Sequence, residues 1–160
     1  MDGKEPHMKC EEENTFKPIA EGGSCRRIYT AMPDQPRPAA TAIEYRLPAG
    51  GRSAPHSLDA DELWFHLGGG EVEIVRSEQD GNLSRIRLRP GEHCLLPAGC
   101  VFGARELSGQ EAHFGCVVVP GYEDAGLQLY TARQLLQRFP GSWAIWADFM
   151  PAYTYETDDR

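Results

Sequence analysis

Glycine and proline divide this chain into pieces too short for long helices. Seventeen glycines and twelve prolines are spread over 160 residues, and the segments between them are mostly strand-length. Residues 42–47 set Ile43, Tyr45 and Leu47 against Ala42, Glu44 and Arg46, the alternation of a strand with one buried face. Pro48-Ala49-Gly50-Gly51 ends it. Residues 62–67 form the next strand candidate, closed by Gly68-Gly69-Gly70. Residues 71–76 and 83–89 flank Asp80-Gly81-Asn82, a turn sequence that joins the arms of a hairpin. In the second arm Arg85, Arg87 and Arg89 alternate with Ser84, Ile86 and Leu88, so the arginines are expected to face water. Residues 94–96, 101–106 and 112–119 supply three more strands. One helix is predicted, from a Thr131 cap through Phe139, stopped by Pro140-Gly141. Many short strands punctuated in this way predict an antiparallel sandwich or barrel.

At 41% apolar and 25% charged residues, the chain has material for one hydrophobic core. Residues 15–140 are assigned to the barrel domain, residues 1–14 to a mobile acidic tail, and residues 141–160 to an aromatic-rich extension. Trp143, Trp146, Phe149, Tyr153 and Tyr155 are too apolar to be left in water. They are expected to pack on the barrel, on a partner subunit or over a pocket mouth. The net charge of −8 repels phosphate backbones and anionic lipid, so neither nucleic acid nor a membrane is an expected partner. Residues 1–14 contain no apolar stretch of the kind a secretory signal needs. The five cysteines are odd in number and form no CxxC pair, which points to a reduced, cytoplasmic protein.

The residues able to carry chemistry cluster at 50–70 and 91–102. His56 and Glu62 stand six apart across a turn containing Asp59 and Asp61, and Trp64 and His66 follow. Side chains alternate along a strand, so Glu62, Trp64 and His66 should share a face. In an apolar pocket beside Trp64 and Phe102, desolvation would raise the pKa of Glu62 and fit it for proton transfer. The plainer alternative, in which Glu62 caps a turn or pairs with an arginine, stays open at this point. So do core roles for Trp64 and His66 and a rim position for His56. Arg26 offers a fork suited to a carboxylate or phosphate, or a partner for Glu21. Cys100 and Cys116 read as small buried apolar groups with no neighbouring base, and His113 as a wall residue.

This pattern resembles the cupin superfamily. Gly50, His56, Glu62 and Gly68 match its first motif, with Leu58 where the second His of His-x-His would stand. Gly91, Pro97 and Gly99 match the second, with Phe102 in place of its His. Further segments resemble the cupin-5 branch. They are Glu21-Gly22-Gly23 with Arg26 and Tyr29, Ala40-Thr41-Ala42-Ile43, Leu47-Pro48-Ala49-Gly50, Glu62-Leu63-Trp64, Pro97-Ala98-Gly99, Val119-Pro120-Gly121-Tyr122 and Leu135 through Pro140. The resemblance implies an all-β fold: a single-domain cupin-type β-barrel or jelly roll with one short C-terminal helix. It also implies a homodimer and a ligand-sized cavity. Of the four usual cupin metal ligands only His56 and Glu62 remain, and two ligands rarely hold a catalytic ion. His66 is a poor third, its Cα about 13 Å along the strand from that of Glu62. No cofactor is therefore expected, and any metal would rest on His56 and Glu62. Glu44 and Arg46 stand in a strand that resembles an all-apolar one in relatives, and charges inside a barrel need partners.

The expected function is cofactor-independent acid/base catalysis on a small cyclic or aromatic metabolite: isomerisation, epimerisation, cyclisation or elimination. His56 and Glu62 would move the proton. Trp64, His66, Phe102, Glu44, Tyr45 and Arg26 would bind the substrate. The alternatives are a non-catalytic ligand-binding cupin and a metal-dependent cupin such as a dioxygenase, with Cys100 or His113 as a third ligand.

Overall fold

The structure is a computed structural model that describes residues 15–31, 39–121 and 126–150. The expected acidic tail, Tyr122, Tyr153 and Tyr155 lie outside the described residues. Among the described residues eleven strands run in chain order: β1 (Lys17–Pro18), β2 (Ser24–Ala31), β3 (Ala40–Leu47), β4 (His56–Ser57), β5 (Asp61–Gly69), β6 (Val72–Ser77), β7 (Leu83–Leu88), β8 (His93–Leu96), β9 (Phe102–Glu106), β10 (Ala112–Val119) and β11 (Gln128–Leu129). They form two sheets, in the orders β1-β2-β3-β10-β5-β8 and β11-β4-β9-β6-β7. The described pairings are antiparallel. The result is a jelly roll of two facing sheets rather than a closed ring of strands.

Alternation decides which side chains fill the space between the sheets. In β3 the odd residues Ile43, Tyr45 and Leu47 are buried while Ala42, Glu44 and Arg46 are half-buried on the other face. In β5 Glu62, Trp64 and His66 point inward, as the period of two requires, and Phe65 and Leu67 point out. The inner layer is completed by Phe114 and Cys116 from β10, Cys94 and Leu96 from β8, and Val72, Ile74, Phe102 and Ala104 from the second sheet. The predicted hairpin forms as expected. Asn82 N–H bonds Asp80 Oδ1, Gly81 turns the chain at φ +82°, and Ser77 pairs with Leu83.

The C-terminal region differs from the expectation of one helix. Helix α1 (Ala132–Arg138) is capped by Thr131, whose side chain accepts from Gln134 N–H while Gln134 Oε1 accepts from Thr131 N–H. A second short helix, α2 (Trp143–Trp146), continues into a single 3₁₀ turn (Ala147–Phe149). The alanine, tryptophan and phenylalanine of this stretch favoured a packed segment, and the extra helical turns let it lie flat. Trp146 and Phe149 are almost fully buried in a second core with Val75, Val101, Leu135 and Phe139. This core covers the outer face of the second sheet, which explains why four consecutive residues of β6, Val72 to Val75, are buried. Of the three places expected for the aromatic extension, it takes the barrel wall, behind the interior. Among the described residues no helix is long and apolar enough to cross a membrane.

Candidate functional site

His56 and Glu62 reach the interior from opposite sheets. Strand β4 pairs with β9 at His56 and Phe102, whereas Glu62 opens β5 between Leu96 of β8 and Val118 of β10. The crossing segment between them, Leu58 to Ala60, is held by Gly99 N–H on Leu58 O. Both side chains are 4% exposed and line the same enclosed hollow. Trp64 and Tyr45 form its aromatic wall, their rings 5.3 Å apart. Ile43, Ser53 and Cys116 complete the sides, and Ile19 and Glu21 close the end nearest β1. The space left for water-sized atoms is about 20 Å³, room for about one water molecule.

Burial sets the protonation states. Desolvation pushes Glu62 up to about 8, with the nearby Trp64 indole N–H working against it and the Glu21 charge adding to it. Glu62 therefore carries its proton at neutral pH. Its Oε2 and the Trp64 Nε1 are both buried without a completed hydrogen bond. Desolvation lowers the pKa of His56, opposed by its bond to Ala54 O and by the Glu21 charge. The ring is thus neutral, with Nδ1–H donated to Ala54 O at 2.7 Å. In that tautomer Nε2 is the basic atom. Burial also pushes the Tyr45 phenol up, so it stays protonated and donates to Gly22 O at 3.0 Å.

The remaining expected site residues are placed elsewhere. His66 is buried one alternation beyond Trp64. Its ring stacks on Phe114 with centroids 4.6 Å apart, and its Nε2 bonds Gly70 O at 2.6 Å. The register shift in this region leaves Leu67 of β5 unpaired, between Gly68 facing His113 and His66 facing Phe114; it lies beyond His66 and does not bring that ring into the hollow. Phe102 sits behind His56 as its packing support, with the ring centroids 4.2 Å apart. Glu44 and Arg26 do not face the interior at all. Alternation with Ile43 and Tyr45 turns Glu44 to the outer face, where Arg26 Nε and Nη2 hold its carboxylate at 2.9 and 3.0 Å. His113 joins them at 3.2 Å, so it is no wall residue of the interior. Arg46 on the same face stacks over Phe16, with its guanidinium 4.0 Å from the ring centre.

Glu21 is the residue that inspection for catalytic spacing missed. It is 5% exposed and shares the hollow with His56 and Glu62. The two glycines after it are the signal that could have found it. Gly22 and Gly23 take φ of +105° and +80°, and a Cβ there would fall 2.7 Å from Arg52 O and from Tyr45 Oη respectively. Only glycine lets the backbone turn this tightly against the mouth. Glu21 O then accepts from Ala54 N–H.

The cupin metal site does not fit these residues. Leu58 and Phe102, at the positions where the resemblance implies histidines, are buried apolar side chains. Among the described residues no group of three or more His, Cys, Asp or Glu side chains is placed to hold an ion. The two third ligands considered from sequence are also out of reach. His113 lies on the outer face with Glu44, and Cys100 lines a separate surface cleft with Glu78 and Arg138.

Two facing antiparallel sheets with a hollow between them define a cupin-type jelly roll. The Cupin_5 family, described as cupin superfamily (DUF985), matches residues 12–130, and the chain belongs to it. The fold is also that of a Shewanella oneidensis protein, with a TM-score of 0.76 and 28% identity over 85% of this chain and 91% of that one. A hypothetical protein from Leishmania major aligns with a TM-score of 0.67 and 20% identity over 84% and 90% of the two chains. A variant of Bacillus subtilis oxalate decarboxylase shares the fold at a TM-score of 0.58 and 18% identity, over 76% of this chain and 30% of that one. No curated protein matches the chain.

Proposed function

We propose that this cupin is a metal-independent acid/base catalyst acting on a small cyclic or aromatic metabolite. The observation that carries this reading is the pairing of a protonated Glu62 and a neutral His56 in one sheltered hollow. His56 Nε2 removes a proton from the substrate, and Glu62 delivers its own to the atom where negative charge gathers. The substrate gains one proton and loses one, so the net change is an isomerisation, epimerisation, cyclisation or elimination. The site resets when the imidazolium returns its proton to Glu62, directly or through a water in the hollow. Trp64 and Tyr45 hold the ring of the substrate, and Phe102 keeps the imidazole in plane. Entry requires the turn at Ile19–Gly23 to move, since the interior is too small for such a ligand while the turn is closed.

The test is proton exchange in heavy water against a panel of small cyclic metabolites, followed by NMR. Wild-type protein is expected to incorporate deuterium at one substrate carbon, and Glu62→Gln and His56→Ala to lose this while still folding. Wild-type protein that binds a metabolite tightly and neither converts nor exchanges it defeats the catalytic reading. That outcome would leave a second reading, a ligand-binding cupin without turnover.

The chain is further proposed to act as a homodimer. Phe65, Leu67 and Leu95 are 40, 56 and 49% exposed on neighbouring strands of one outer face, an apolar area of the kind that marks an interface.

A further inference from the structure

Strand β5 brings two unfinished hydrogen-bonding groups to one wall of the hollow. Glu62 and Trp64 stand two residues apart on its inward side, each 4% exposed. Among the described residues neither Trp64 Nε1 nor Glu62 Oε2 completes a hydrogen bond, although a buried indole N–H ordinarily finds a partner. Packing fixes where the indole points. Its ring is held between Tyr45 at 5.3 Å, Phe114 at 5.1 Å and Phe102, edge-on, at 5.9 Å. The indole nitrogen can only donate. Burial keeps the proton on Glu62 at neutral pH, so its carboxyl donates as well, as an acid in an apolar pocket does. Across the hollow, on the other sheet, His56 offers Nε2 as an acceptor, its Nδ1–H being committed to Ala54 O. The Tyr45 hydroxyl is committed to Gly22 O. The lining thus sets two donors on one wall and a base on the wall opposite.

We propose that Trp64 Nε1–H and the Glu62 carboxyl together hold one carbonyl oxygen, and that the ligand is a carbonyl compound whose adjacent carbon presents a C–H bond to His56 Nε2. The inference rests on the reading of this hollow as the site of proton transfer and names the class of substrate it takes. A carbonyl oxygen has two lone pairs and no hydrogen, which two donors satisfy. A hydroxyl brings a proton that needs an acceptor of its own. A carboxylate brings twice as many lone pairs and a full charge into a hollow that admits almost no water. In the reaction the C–H bond breaks as His56 takes the proton, and its electron pair becomes the new C=C bond. The C=O π pair takes the proton from Glu62. The product is an enol, faced by an imidazolium and a carboxylate. The imidazolium proton then passes to the far carbon of an adjoining double bond while the enol proton returns to Glu62, which moves that double bond into conjugation. Negative charge grows on the oxygen as the C–H bond breaks, so the two donors hold the transition state more strongly than the ground state. Trp64 thereby takes a part in the chemistry beyond holding a ring.

The experiment uses the full ¹⁵N-labelled chain and three probes built on one ring: cyclopentanone, methylenecyclopentane and cyclopentanecarboxylate. NMR follows the Trp64 indole N–H, its peak assigned with Trp64→Phe, and infrared spectroscopy follows the carbonyl stretch of ¹³C-labelled cyclopentanone. Cyclopentanone is expected to move the indole proton downfield saturably and to show a lowered carbonyl stretch when bound. Methylenecyclopentane, of the same shape without the oxygen, is expected to leave the indole proton in place, and the carboxylate to bind more weakly than the ketone. Trp64→Phe keeps a ring in the wall and removes the donor. It is expected to weaken cyclopentanone by about tenfold and to slow deuterium exchange at its α-carbons in heavy water by about a hundredfold. The contrast between probes on the wild-type chain tests the assignment even where Trp64→Phe folds poorly. An indole proton indifferent to cyclopentanone, an unshifted carbonyl stretch, or tighter binding of the carboxylate would each overturn it. So would a folded Trp64→Phe that binds and exchanges the ketone as wild type does. Binding of the ketone through Trp64 without exchange would remove the catalytic reading and keep the carbonyl as the group held here. Exchange that depends on Glu62 and His56 in a metabolite lacking a carbonyl would do the reverse.

Discussion

The ring of His56 lies against that of Phe102, centroids 4.2 Å apart and planes at 54°, where β4 and β9 pair. Phe102 in turn meets Trp64 edge-on at 5.9 Å. One phenylalanine therefore supports both the imidazole and the aromatic wall. Phe102→Ala is expected to lower unfolding stability by about 3–5 kcal/mol and to broaden the His56 ring resonances. Urea denaturation and NMR measure the two effects.

The same position bears on metal content. With apolar side chains at Leu58 and Phe102, protein purified without chelator is expected to carry well under one equivalent of transition metal. Restoring both imidazoles, as Leu58→His with Phe102→His, is expected to raise zinc or manganese uptake measured by elemental analysis. Stoichiometric metal in the wild-type chain would contradict the donor-set argument.

Glu62 makes stability depend on pH. Its folded-state pKa of about 8 is raised above the ordinary value of 4.5, so the folded chain keeps a proton that the unfolded chain releases. Its contribution is whole below pH 4.5 and is lost as pH climbs to about 8. His56 is depressed from 6.5 and acts in the opposite sense, its stabilising contribution present above that value and lost below it. Between about pH 6.5 and pH 8 Glu62 is expected to contribute a decline that His56 does not offset. Glu62→Gln should flatten that decline in urea titrations, and an unchanged slope would show the carboxyl to be ionised.

Glu106 works with the opposite sign. Its buried carboxylate accepts from the N–H groups of Gly50, Ser108 and Gly109 and from Ser108 Oγ. Burial raises its pKa, and these bonds, the Ser108 hydroxyl foremost, outweigh that and hold it at about 2. The stabilisation is present above pH 4.5 and lost as pH falls toward 2. Glu106→Gln presents an amide N–H₂ to these donors and is expected to cost about 2–3 kcal/mol at neutral pH, with little penalty near pH 2.

The proposed dimer predicts that Leu67→Glu with Leu95→Glu yields a monomer by analytical ultracentrifugation while the wild type sediments at twice the chain mass. The hollow does not include this face, so ligand response should survive. A monomeric wild type would remove the assembly from the account.

Much of the fold could be read from periodicity. The inward set Glu62, Trp64 and His66, the Asp80-Gly81-Asn82 hairpin and the Thr131 cap follow from local rules that tertiary contacts reinforce. Glu44 illustrates a rule available and not applied: the alternation that buries Tyr45 sends its neighbour outward to Arg26 and His113. Alternation gives the side of the sheet on which His66 and Phe102 lie, but depth along a strand depends on packing partners far away in sequence. Glu21 was harder. Its position comes from a turn between β1 and β2 folding over the end of the sheets, and no period marks a residue that a loop delivers. The short helix at Trp143–Trp146 depended on an apolar platform, Val75 and Val101, supplied by strands distant in the chain.

A backbone link runs from Glu21 O through Ala54 to His56 Nδ1, joining the turn at Ile19–Gly23 to the imidazole. A guest that lifted the Ile19–Gly23 turn would pull on Ala54, whose N–H bonds Glu21 O and whose own carbonyl accepts from His56 Nδ1. Admission of a guest and the setting of the ring would then share one free-energy balance: whatever latched the turn would also hold the imidazole, and whatever loosened it would slacken both together.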